Sequence, residues 1–177
     1  MKHASTLLLL FIVCIKIQAQ IQTVSSTRFD EIKLNIPIDS VNRILNSNIH
    51  LKGGSNDFRY DTIWANYKTD SIQLVFSRYL NSKGQIETNL VSMFCKSKNL
   101  KTRSGIKPGD NKFDLIKKLD GSTLRIAPDW HLPDDYPERK LYSIVVLYDY
   151  TNNSLLNFYF YNNNLYGFEC ASMEEGG

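Results

Sequence analysis

The sequence predicts an α+β domain: a tandem repeat of a helix plus a three-stranded antiparallel meander, with the helices packed on one face of the sheet. Three observations predict it. A helix-starting cluster occurs twice, as Pro37-Ile38-Asp39-Ser40 and as Pro108-Gly109-Asp110-Asn111. After each, the spacing of apolar residues changes from helical to alternating, the signature of a switch from helix to strand. The turn Tyr67-Lys68-Thr69-Asp70-Ser71-Ile72 also has a counterpart in Tyr150-Thr151-Asn152-Asn153-Ser154-Leu155. A repeat of this kind decides the architecture, so it is weighed before any single element.

Taken in order, the chain of 177 residues starts with Lys2 and His3, then nine consecutive apolar residues at 7–15, then Lys16 and the small residue Ala19. That is the layout of a cleavable secretory signal. The apolar run is less than half of the roughly 20 residues that cross a bilayer. Residues 1–19 are therefore expected to be a signal peptide and 20–177 one globular domain, exported to the periplasm or secreted. Cys14 follows Phe11-Ile12-Val13, where lipoprotein signals carry small residues, so no stable membrane anchor is expected. Of the 21 basic residues, Lys2 and Lys16 leave with the signal, and the rest nearly balance 18 acidic ones. That balance argues against nucleic acid, whose backbone demands a clustered basic stripe. The run Lys96, Lys98, Lys101 and Arg103 reads as a solvated linker.

The two repeats are expected at about 28–100 and 101–173. In the first, Asp39 or Ser40 can cap a helix carrying Val41, Ile44 and Leu45. In the second, Asp110 or Asn111 can cap one carrying Phe113, Ile116 and Leu119, closed by Gly121. Strands follow at 60–67, 71–80 and 85–96, then at 141–150, 154–161 and 165–172. Their hairpins turn through Asn, Asp and Gly, which tolerate the positive φ that tight turns require.

The segment Gly105-Ile106-Lys107-Pro108-Gly109-Asp110, with Phe113-Asp114-Leu115-Ile116 and Leu119-Asp120-Gly121 after it, resembles the helix start of the small outer-membrane assembly lipoproteins, the SmpA/OmlA or BamE group. It is similar as well to the related β-lactamase-inhibitory-protein fold. The resemblance implies tandem helix-plus-sheet units with the helices on one sheet face, and a role in inhibition or in envelope assembly.

Candidate chemistry is sparse. His50 reads as a polar loop residue. His131 lies in the most unusual segment, 129–138, with Asp129, Asp134, Asp135 and Glu138 around it and Trp130 beside it. Closely spaced acids can hold a hard cation, but three prolines with acidic neighbours in and around such a segment equally describe a stiff surface connection, and no metal or other cofactor is expected. Cys95 and Cys170 fall on the last strand of each repeat. They can form a disulfide in an oxidising compartment, worth up to about 4 kcal/mol, or remain two buried thiols. Tyr142, Tyr148 and Tyr150 share one face of their strand, and Tyr159 and Tyr161 one face of the next, opposite the more apolar side. With Trp130 they form a candidate surface for a protein partner, since tyrosine gives large contact area at low entropic cost.

These readings favour an exported, non-enzymatic protein-binding module of the inhibitor or immunity type. The alternatives are a structural or assembly component of the bacterial envelope, and a hydrolase using His131 with an acid of its own loop.

Overall fold

A computed structural model describes residues 22–51 and 59–173. Residues 1–19, expected to be a signal peptide, and the glycines Gly53 and Gly54 lie outside the described residues. Two sheets make up most of the molecule. The small one contains β1 (Gln22–Ser25), β2 (Arg28–Phe29), β3 (Ile32–Lys33) and β7 (Leu100–Thr102), in the order β3-β2-β1-β7, with β1 parallel to β7. The large one contains β4 (Arg59–Tyr67), β5 (Asp70–Leu80), β6 (Ile86–Cys95), β8 (Leu124–Pro128), β9 (Tyr142–Asp149), β10 (Ser154–Tyr161) and β11 (Asn164–Ser172). Its order is β4-β5-β6-β11-β10-β9-β8, antiparallel throughout. The helices are α1 (Ile38–Leu45) and α2 (Lys112–Lys118), and a 3₁₀ turn spans Arg139–Leu141.

The predicted fold class is overturned. Strands dominate, and the helices do not form the layer that covers the sheet. Size explains why: seven strands span about 29 Å, whereas an eight-residue helix is about 12 Å long and 10 Å across. Two such helices leave most of the apolar face open. The small sheet and the chain around it bring Val24, Phe29, Ile32, Leu34 and Leu100 onto that face, beside Val41 of α1 and Leu115 of α2. Ile72, Leu74, Phe76, Leu90, Met93, Phe158, Phe160 and Phe168 meet them from the large sheet, each at most 1% exposed.

Local chemistry sets the ends of the elements. Asn111 caps α2, its side-chain oxygen accepting from the Phe113 N–H at 2.9 Å, while α1 begins after Pro37 with no side-chain cap and ends at Asn46 in the left-handed region. Asp30 and Asn35, at φ 49° and 61°, turn the chain on either side of β3. Cys95 and Cys170 lie on the central strands β6 and β11, but Cys95 is opposite Phe168 and Cys170 opposite Met93. Diagonal neighbours sit about 7–8 Å apart, beyond the reach of a disulfide. The bridge left open by the sequence is therefore not formed; both are free, buried thiols whose pKa values burial pushes up.

Candidate functional site

One row of directly opposed residues crosses the outer face of the large sheet: Trp64, Gln73, Phe94, Glu169, Asn157, Val146 and Arg125, one from each strand. Beside Phe94 and Glu169 lie Tyr159 and Tyr166. The chain then folds back over them. Pro128 ends β8, since it cannot donate to a ladder. Asp129 next accepts the His131 backbone N–H at 3.0 Å in an Asx turn, which swings His131 and Leu132 over the sheet. Between this turn and the strands opens a cleft of about 250 Å³, walled by Trp64, Gln73, Phe94, Lys96, Leu132 and Tyr166, with Asp129, His131, Tyr159 and Glu169 at its base.

The base is a connected polar network. Glu169 accepts hydrogen bonds from Ser92 Oγ at 2.6 Å, from Asn157 Nδ2 at 2.9 Å and from the Tyr159 hydroxyl. His131 Nδ1 faces Asp129 Oδ1 at 3.3 Å and the Tyr159 oxygen at 3.4 Å. Asp129, only 3% exposed, also accepts from the Tyr166 hydroxyl at 3.2 Å. Burial, then the Glu169 charge, drives the Tyr159 phenol far above its usual pKa, and burial with Asp129 does the same to Tyr166. Both stay protonated donors. Burial alone would raise Asp129, but the side-chain and backbone hydrogen bonds from His131 outweigh it and hold the carboxyl below its usual range. The hydrogen bond to Asp129 raises His131, against burial and with the help of the Glu169 charge.

Gly167 lets the cleft form. A Cβ there would stand 3.1 Å from the Phe94 ring and 3.2 Å from the Cys95 carbonyl oxygen. The bare backbone leaves room for that ring, which meets Tyr159 edge-on with centroids 5.1 Å apart.

No protein family, no curated protein and no solved structure matches this chain. The reading of its function rests on its own geometry.

The residues singled out from sequence are placed unevenly. Tyr159 is buried in the base of the cleft, 2% exposed, rather than presented on an open face. Tyr142 packs against Tyr136, Tyr161 and Tyr166. Tyr148 and Tyr150 stack on each other at 5.7 Å, with Tyr150 past the end of its strand. Tyr161 donates to Glu138 at 3.2 Å, and Trp130 lies beside the His131 ring, half exposed. The expected open tyrosine face is thus partly roofed by residues 129–141. The reason is a second apolar cluster on this outer side, with Ile144, Val146 and Tyr159 buried and Phe94, Tyr148, Leu155 and Tyr166 against them. His50 is exposed after α1. The acids of the 129–138 segment go separate ways: Asp134 pairs with Arg139 and Glu138 with Tyr161. Among the described residues no group of three or more His, Cys, Asp or Glu could hold a metal ion, and no helix is long and apolar enough to cross a membrane.

Sequence reasoning missed Trp64, Gln73, Phe94, Lys96, Tyr166 and Glu169. Two signals pointed there: an acid between Phe168 and Cys170 inside a strand, and a glycine two residues before it, since glycine inside a strand often marks close approach.

The pH dependence of the Asp129–His131 contact follows from its shifted groups. His131 is raised, so its stabilisation is present below the ordinary imidazole pKa of about 6.5 and fades as pH rises through the folded value. Asp129 is lowered, so its share is present above about 3.9 and fades as pH falls through its folded value. The wild type is expected to lose urea resistance relative to His131→Ala as pH rises from about 6.5. The effect is small because the His131 side chain is 56% exposed. Urea midpoints of both proteins across neutral pH measure it, and a pH-independent difference contradicts the pairing.

Proposed function

We propose that this chain is an exported binding protein and that the cleft on the outer face of the large sheet is its recognition site. The observation that carries the reading is the division of labour within the cleft. The carboxylates of its base are engaged by donors of the chain itself, while the side chains of Trp64, Gln73 and Lys96 stand around them with no side-chain hydrogen bond among the described residues. A locked base under unspent walls is the pattern of a preformed site. Trp130 and Tyr161, exposed beside it, extend the surface on which a partner rests.

The two tryptophans of the chain, Trp64 and Trp130, both border the site. Single-tryptophan variants made with Phe allow emission to be titrated with size-separated extracts of the cell envelope. A saturable change in Trp64 emission is expected from at least one fraction. Silence from every fraction overturns the reading.

One observation favours a second reading. With Nδ1 turned to a buried carboxylate, His131 keeps Nε2 free for proton abstraction, the arrangement of a general base. A hydrolase working this way would cleave 4-nitrophenyl acetate faster than its His131→Ala variant. Equal rates end that reading.

A further inference from the structure

We infer that the cleft takes a neutral sugar ring, held with its C–H face on Trp64 and its hydroxyls on Gln73, Lys96 and His131. The inference rests on the cleft being the recognition site and adds the chemistry of its occupant.

Charge comes first. With His131 protonated, the cleft carries two cationic groups, Lys96 and His131, and two anionic ones, Asp129 and Glu169. Each anion is already bound to donors of the chain: Asp129 by His131 and Tyr166, Glu169 by Ser92, Asn157 and Tyr159. The cleft as a whole is then neutral, and its one unpaired ammonium, Lys96, already lies over two aromatic rings, so a fully charged group would recover little of the hydration it forfeits on entry. The occupant that fits is neutral.

The free polar groups come second. The Gln73 amide offers a donor and an acceptor, Lys96 donors only, and His131 Nε2 either role according to protonation. None has a hydrogen-bond partner among the described residues. Lys96 rests over the Phe94 and Tyr166 rings, 5.7 Å and 5.2 Å from their centroids, so its ammonium is placed without being consumed. A mixed set is met by groups that donate and accept at once, which is what hydroxyls do.

Shape comes third. Trp64 is 59% exposed at the wall of the cleft, on the edge strand, so much of its indole is available to an occupant. The negative face of an aromatic ring attracts polarised C–H groups. A flat apolar face rimmed by several hydroxyls describes a pyranose ring, and a cleft of about 250 Å³ holds a single small ring rather than a larger ligand.

The test titrates Trp64 emission, in the Trp130→Phe protein, with the methyl pyranosides of glucose, galactose, mannose and N-acetylglucosamine. Acetate and methylguanidinium serve as charged counterparts. At least one pyranoside is expected to bind with Kd of about 1 mM or tighter, and Gln73→Ala and Lys96→Ala are each expected to weaken it about tenfold without lowering the melting temperature. Binding of a charged probe with no response to any pyranoside overturns the inference, as does pyranoside binding that both variants leave unchanged. Extract fractions separate this from failure of the site itself. If they change Trp64 emission after periodate has destroyed their diols, the cleft binds something else and only the sugar falls.

Discussion

Replacing Glu169 with leucine is expected to cost about 3 kcal/mol and to lower the melting temperature by about 10 °C. The side chains are similar in size, so the loss comes from hydrogen bonding. The carboxylate accepts from Ser92, Asn157 and Tyr159 at once. Asn157 and Tyr159 are each 2% exposed, and the Asn157 Oδ1 has no partner of its own. Without Glu169 those donors lose a charged acceptor while staying out of reach of water, and an orphaned buried donor costs about 1–3 kcal/mol. Glu169→Gln keeps one oxygen acceptor and should lose about half as much. Thermal unfolding of the three proteins at neutral pH measures the series. A leucine variant melting like the wild type would show that the network stabilises nothing.

A loss of about 4 kcal/mol is expected for Phe158→Ala, the larger of the two effects. Phe158 is fully buried on the inner face of β10 and meets Phe168 of the neighbouring strand edge-on, with centroids 5.7 Å apart. Its removal leaves a hole that surrounding strands cannot close, because their spacing is fixed by backbone hydrogen bonds. Urea unfolding gives the number, and Tyr161→Ala serves as a comparison whose 39% exposed ring should cost far less. If both variants unfold at the same denaturant concentration, the two faces of β10 are misassigned.

The long strands were legible and the short ones were not. In β5, buried and less buried positions alternate from Ser71 to Phe76, and in β10 Leu156, Phe158 and Phe160 alternate with Asn157, Tyr159 and Tyr161, enough to reveal a period of 2. Strands β2 and β3 are two residues each, and no period can be counted in two residues. Their sheet was therefore invisible, and the helices were assigned a covering role that their length cannot fill. Asn111 announced α2 through a cap that forms as expected. Asp39 did not cap α1, because Pro37 already occupies that position.

The candidate site was legible in its loop and hidden in its strands. Asp129 and His131 stand two apart in a segment conspicuous for acids and prolines. Glu169 and Trp64 belong to strands separated by about a hundred residues of chain, and only the register of three intervening pairings sets them in one row. Tyrosine spacing pointed to the correct face of β10 but not to its cover, since nothing in the spacing of Tyr159 and Tyr161 tells which of them another segment will roof.

The position of β11 carries a consequence for how the molecule comes into being. Among the described residues it is the final strand in chain order, yet it lies in the middle of the large sheet, flanked by β6 and β10. Until residues 164–172 arrive, the first meander has no neighbour on its inner side, and β6 and β10 both present bare edges. Acquiring the native state is therefore an event of the whole polypeptide, slowed by contacts between distant segments. A chain that stays open until its last strand docks remains threadable through a narrow pore.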